Sequence, residues 1–102
     1  MDKNVTNDKL SKEGTVMKKL EVFYQEGCPY CKKALKFINE LQEENDIYRL
    51  IDIKLTDEEV EIDYSYEFDY FKVPSFYIDG HKVHEGAITK EEMKRVLEAA
   101  LE

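Results

Sequence analysis

The sequence predicts an α/β fold: a central four-stranded mixed sheet flanked by helices, ordered βαβ, a short connecting helix, then ββα. Three observations predict it. A strand-like run after Lys19 leads into an amphipathic helical run and then into a β-branched apolar stretch. Two short strand-like segments meet at Asp79-Gly80, and a capped amphipathic helix closes the chain.

In the first strand, Leu20, Val22 and Tyr24 alternate with Glu21 and Phe23, the period of an extended segment with a buried face. Gln25-Glu26-Gly27 forms a polar turn into Cys28-Pro29-Tyr30-Cys31. Proline suits a first helical position, where its missing N–H would be unpaired in any case. Beyond it, Ala34, Phe37, Ile38 and Leu41 fall at helical spacing, with Lys32, Lys33, Lys36, Glu40 and Glu43 on the other side, to about Glu44. Asn45-Asp46 breaks the helix, and Ile47 to Ile53 reads as a second strand, which begins a parallel βαβ unit.

Thr56 and Glu59 have capping-box spacing, and Val60, Tyr64, Phe68 and Phe71 fit one helical face. A rival period exists: Ile62, Tyr64, Tyr66, Phe68 and Tyr70 alternate as in a strand. The surrounding topology selects a short, irregular helix over 57–71. Val73–Ile78 and His81–Glu85 then flank Asp79-Gly80, whose residues suit the positive φ angles of a tight hairpin turn. Thr89 and Glu92 form a second capping box, followed by Met93, Val96, Leu97, Ala100 and Leu101 on one face.

A chain of 102 residues, 42% hydrophobic, has material for one core, assigned to residues 17–102. Residues 1–16 are polar and mixed in charge and are expected to form a flexible tail, with Met17 a candidate native start. A net charge of -8 argues against a nucleic-acid partner, because phosphate binding depends on clustered Lys and Arg. The absence of a long apolar run argues against membrane insertion, and the polar start does not read as a secretory signal, so a cytoplasmic location is expected.

The two cysteines lie three positions apart, too close for a disulfide between them to restrain much of the unfolded chain. In a reducing compartment such a pair is redox-active or metal-binding. A structural zinc site needs four ligands, for which only Cys28, Cys31, His81 and His84 exist; both histidines fall in the hairpin and receive no role. Cys28 precedes a helix, where free N–H groups and the macrodipole favour a thiolate, with Lys32 and Lys33 adding positive field. Cys31, one turn on, is placed to displace whatever becomes bonded to Cys28.

Cys28-Pro29-Tyr30-Cys31 resembles the dithiol motif of glutaredoxins, and Val73-Pro74-Ser75-Phe76 resembles the Val-Pro segment that faces it. From Lys19 to Leu101 the chain resembles the thioredoxin/glutaredoxin superfamily, and is similar to small bacterial glutaredoxin-like thioredoxin-family proteins. The resemblance implies the thioredoxin fold and a thiol–disulfide oxidoreductase. Cys28 is then the nucleophile and Cys31 the resolving thiol of a redox-active disulfide, supported by Pro29, Tyr30 and Lys32. Pro74 is then cis, and with Val73 docks substrate as an added strand pairs with an edge.

The resemblance further implies a monomer with disulfide-containing protein substrates and no bound cofactor or metal. Electrons would come from glutathione, or from NADPH through thioredoxin reductase. Both donors stay open because the chain departs from both families. Glutaredoxins carry a lysine before the first cysteine and Gly-Gly with acids after the last hairpin; here stand Tyr24-Gln25-Glu26-Gly27 and His84-Glu85-Gly86-Ala87-Ile88, the latter closer to a thioredoxin ending. Thioredoxins have tryptophan and Gly-Pro at the site and a buried acid on strand one, where this chain has no tryptophan, Pro-Tyr, and Val22. The alternatives are a glutathione-dependent iron–sulfur carrier and a non-catalytic interaction domain.

Overall fold

Strand β1, Lys19–Tyr24, buries four successive residues, Leu20 to Phe23, so the sheet is covered on both faces where this strand runs. The computed structural model that shows this describes residues 18–102; the expected tail over 1–16 and its boundary at Met17 lie outside the described residues. Alternation along β1 sends Leu20 and Val22 to one face and Glu21 and Phe23 to the other. The two faces are built of different material.

The first face carries the aliphatic core. Helix α1, Pro29–Glu44, and helix α3, Lys90–Leu101, lay Ala34, Ile38, Leu41, Met93, Val96, Leu97 and Ala100 against Leu20, Val22, Phe76 and Ile78. Burying each larger aliphatic side chain is worth about 1.5–3 kcal/mol. Helix α3 starts at the expected capping box: the Thr89 hydroxyl accepts from the Glu92 N–H at 3.0 Å, and the Glu92 carboxylate accepts from the Thr89 N–H at 2.9 Å.

The second face is aromatic. Phe23 sits 4.6 Å from Phe68, 5.1 Å from Tyr70 and 5.6 Å from Tyr77, centroid to centroid, and Tyr64 packs edge-on to Phe68. Among them Glu21 is buried, accepting from the Thr56 hydroxyl at 2.8 Å and the Tyr64 hydroxyl at 2.9 Å, with the Lys54 ammonium at 3.6 Å. A buried carboxylate requires such partners.

Strand β2 is Asp52–Asp57, β3 is Ser75–Ile78 and β4 is His81–Glu85, and the sheet order is β2-β1-β3-β4. β1 and β2 are parallel, with Leu20 opposite Ile53 and Phe23 opposite Thr56; the other two pairings are antiparallel. The β3–β4 turn is Asp79-Gly80, both residues at positive φ (48° and 85°), as the dipeptide predicts. The mixed four-stranded sheet with flanking helices is therefore as expected, and among the described residues no helix is long and apolar enough to cross a membrane.

Four expectations at element scale are corrected. The second strand does not occupy Ile47–Ile53: Asp46–Leu50 is a 3-10 helix, because the Asn45 side chain accepts from the Ile47 N–H at 3.1 Å and Tyr48 turns inward to donate to Glu98. Thr56 caps no helix; it lies in β2, its hydroxyl committed to Glu21, and Asp57 instead accepts from the Glu59 N–H. The helix expected across 57–71 shrinks to α2, Ile62–Ser65, because Phe68 and Tyr70 reach the sheet face from irregular chain. The third strand begins at Ser75 rather than Val73, since Val73-Pro74 forms a cis peptide with no ladder partner.

Candidate active site

Gln25-Glu26-Gly27 carries the chain from β1 into α1, and the Cys28 N–H closes this turn on the Gln25 carbonyl at 3.2 Å. Cys28 then takes the N-cap position of α1, with an extended backbone, and Pro29 follows at the first helical position. The Cys28 sulfur does the work of a capping side chain, accepting the Cys31 N–H at 3.1 Å. It therefore lies where the helix concentrates partial positive charge, and it is half-buried rather than sealed.

Cys31 lies one turn along, buried beneath the helix start, and its N–H donates to the Cys28 sulfur at 3.1 Å. Both cysteines are free thiols. Burial, and secondly the hydrogen bond with Cys28, push the Cys31 thiol up to about 12; a main-chain hydrogen bond from Gln25 works in the opposite direction, and the charges of Cys28 and Glu58 add to the rise. Cys31 is thus held as the neutral partner while Cys28 carries the accessible sulfur.

The third wall is the segment before β3. The Val73–Pro74 peptide is cis, Pro74 is fully buried, and the Val73 carbonyl stands 3.8 Å from the Cys28 sulfur. Glu85 supports this segment from β4, accepting from the Phe71 N–H, from the Lys72 N–H at 2.8 Å and from the Lys82 ammonium at 2.7 Å. The Gly86 N–H donates to the Pro74 carbonyl at 2.7 Å. Gly86 has φ of 89°, which its lack of a side chain permits.

The fold thus brings Cys28, Cys31, Val73 and Pro74 together across a separation of about 45 residues in sequence. Pro29 and Tyr30 project outward, Tyr30 with 57% of its surface exposed, and Lys32 is exposed on α1. His81 and His84 lie on β4, where the His84 ring meets the Ala87 carbonyl and packs on Phe76. Three residues at or behind the pair were not singled out from sequence: Gln25, Glu58 and Tyr70. The Glu58 carboxylate accepts from the Gln25 side-chain amide and, at 2.6 Å, from the Tyr70 hydroxyl. The buried acid of strand one is also present, but as Glu21, one residue before Val22 and on the opposite sheet face.

Chemically, a half-exposed sulfur at a helix start, a second, buried cysteine one turn along and a main-chain carbonyl alongside compose a dithiol exchange site. Comparison with known proteins agrees with this class. The family model for the thioredoxin domain matches residues 18–98. Among solved structures, oxidised thioredoxin from Plasmodium falciparum superposes with a TM-score of 0.65 at 18% identity, covering 84% of this chain and 83% of that one. A thioredoxin-like protein from Clostridium perfringens gives 0.61 at 23% identity, with 86% and 74% covered. Reduced desulfothioredoxin from Desulfovibrio vulgaris Hildenborough gives 0.62 at 18% identity, with 82% of each chain covered. No curated protein sequence matches the chain.

Proposed function

The chain belongs to the thioredoxin-domain family, and from that premise we propose that it is a thiol–disulfide oxidoreductase that reduces protein or low-molecular-weight disulfides through Cys28 and Cys31. The observation that carries this reading is the Cys28 sulfur itself: it caps α1, is half-buried, and accepts the N–H of Cys31, whose own side chain is buried one turn along.

In the first step the Cys28 thiolate attacks one sulfur of a substrate disulfide. A Cys28–substrate disulfide forms, the substrate S–S bond breaks, and the other substrate sulfur leaves as a thiolate that takes a proton from water. In the second step Cys31 gives up its proton to water and attacks the Cys28 sulfur. The Cys28–Cys31 disulfide forms and the remaining substrate sulfur leaves. The substrate has gained two electrons and the protein has lost two. A dithiol or thiol donor, either a thioredoxin reductase drawing on NADPH or glutathione, returns them.

Val73 and Pro74 are the substrate-docking residues in this reading, supported by the Val73 carbonyl standing beside the reactive sulfur, where an extended peptide could pair with it. Tyr30, Pro29 and Lys32 form the exposed rim around Cys28. The protein would act as a monomer in the cytoplasm. The test is turnover of insulin and hydroxyethyl disulfide: Cys28→Ser abolishes it, and Cys31→Ser accumulates a covalent substrate adduct visible by mass spectrometry. Full activity in Cys28→Ser would refute the reading.

A further inference from the structure

Between β2 and the end of α2 the protein leaves large apolar side chains in water: Val60 is 76% exposed, Tyr66 82%, and Ile62 nearly half. Side chains of this size gain by burial, so a cluster of them outside the core marks a contact surface. Ile62 and Tyr66 line a groove of about 390 Å³, together with Glu58, Glu59 and Ser65. The groove reaches the cysteine turn. The Glu58 carboxylate in its wall accepts from the Gln25 side-chain amide, and the Gln25 carbonyl accepts the Cys28 N–H at 3.2 Å. Phe71, 91% exposed, adds an apolar side chain on the segment that carries Val73, whose carbonyl faces the Cys28 sulfur.

Charge selects the occupant of this groove. Residues 57–69 carry seven carboxylates, and residues 55–71 hold no lysine, arginine or histidine. Glu59, Asp63 and Glu67 are exposed and, among the described residues, form no ion pair. Glu59-Val60-Glu61-Ile62-Asp63 alternates acid with apolar, so the matching surface alternates base with apolar. Lys32 and Lys33 lie on α1 rather than in the groove, whose own charge is uniformly negative.

We propose that this groove seats the stretch of a substrate protein beside its reactive cysteine, and that the stretch it fits alternates lysine or arginine with apolar side chains. This rests on the dithiol reading above and adds a substrate class to it. The apolar side chains of the substrate cover Ile62 and Tyr66, its cations meet Glu59, Asp63 and Glu67, and its sulfur is thereby brought to Cys28. Exposed charge pairs are individually weak; three together raise the rate of productive encounter about tenfold at low ionic strength.

The experiment mixes the reduced full chain with three single-cysteine peptides, each activated as a mixed disulfide with nitrothiobenzoate. The Cys28 thiolate attacks the peptide sulfur, a Cys28–peptide disulfide forms, and the coloured nitrothiobenzoate thiolate leaves with the electron pair of the broken S–S bond. The peptides differ only beside their cysteine, which is flanked by alternating Lys-Leu, Glu-Leu or Lys-Ser. Each rate is divided by that of the same peptide with mercaptoethanol, which removes differences in intrinsic reactivity. At low ionic strength the Lys-Leu peptide reacts about tenfold faster than Glu-Leu and about threefold faster than Lys-Ser. The triple variant Glu59→Gln, Asp63→Asn, Glu67→Gln brings the first ratio down to about two. The triple variant Glu43→Gln, Glu91→Gln, Glu102→Gln removes the same charge from the far end of α1 and from α3, and leaves that ratio near its wild-type value. Tyr66→Ala brings the second ratio to about one.

Equal wild-type rates for Lys-Leu and Glu-Leu overturn the proposal. So does a preference that the groove variant leaves intact, or one that both triple variants lower equally, which assigns it to the charge of the whole molecule. If the groove variant fails to fold, Tyr66→Ala decides: a Lys-Leu advantage over Lys-Ser that survives it overturns the proposal. A wild-type chain that releases no colour from any of the peptides overturns the dithiol reading itself, a failure distinct from a loss of preference among them.

Discussion

At the scale of single residues, what distinguishes the two cysteines is position rather than type. The half-buried sulfur of Cys28 meets the Cys31 N–H at the start of α1, whereas Cys31 is buried and its thiol pushed up to about 12. Alkylation of the reduced protein at neutral pH should therefore label Cys28 first and leave Cys31 unmodified; equal labelling rates by peptide mapping would contradict the asymmetry. Glu21 offers a second test. Thr56→Val removes one of the hydroxyl donors of this buried carboxylate and should cost about 1–3 kcal/mol by urea unfolding. The cysteine pair showed in sequence as a Cys-x-x-Cys spacing before a helix, and the cis bond at Pro74 was an implication of the family resemblance of Val73-Pro74-Ser75-Phe76. Glu21 and Glu58 were not legible, since Thr56 lies 35 residues from Glu21, and Gln25 lies 33 residues from Glu58, in sequence. A glutamate in a strand or a turn reads as surface until the fold supplies its partners.

At the scale of elements, the segment before β3 depends on Glu85 from β4. Lys82 first, then the Phe71 N–H, hold the Glu85 carboxyl well below the usual 4.5, at about 2. A folded-state value lower than the unfolded one means that this support is fully present above about pH 4.5 and is lost as pH falls through about 2. Exchange protection of the Phe71 and Lys72 amides should therefore persist at pH 4 and fade toward pH 2, and Glu85→Gln should remove its pH dependence. Protection in Glu85→Gln that fades between pH 4 and pH 2 just as it does with Glu85 in place would contradict this. Elements marked by local chemistry were read correctly: the Pro29 start of α1, the Asp79-Gly80 hairpin and the Thr89–Glu92 box of α3. The second strand was misplaced because a short apolar run carries no decisive period. Ile47 and Leu50 turned out exposed, and the strand that matters pairs with β1 from Asp52 onward.

At the scale of the whole molecule, two dissimilar cores clamp one sheet, and the active site sits at the end where β1 delivers the chain into α1. The aliphatic core was visible in the helical spacing of α1 and α3. The aromatic one was visible only as an ambiguous alternation over 62–70, resolved when Phe23, Phe68, Tyr70 and Tyr77 close over a single sheet face. Phe23→Ala should therefore cost about 3–5 kcal/mol by urea unfolding and loosen Tyr70, which stacks on it and donates to Glu58.

The dithiol account as a whole is tested most directly by mild oxidation of the reduced protein at low concentration, followed by alkylation and intact-mass measurement. The account predicts a monomer that has lost two hydrogens and takes up no alkylating agent, with peptide mapping linking Cys28 to Cys31. A product that remains fully alkylated, or that pairs only between molecules, would contradict it.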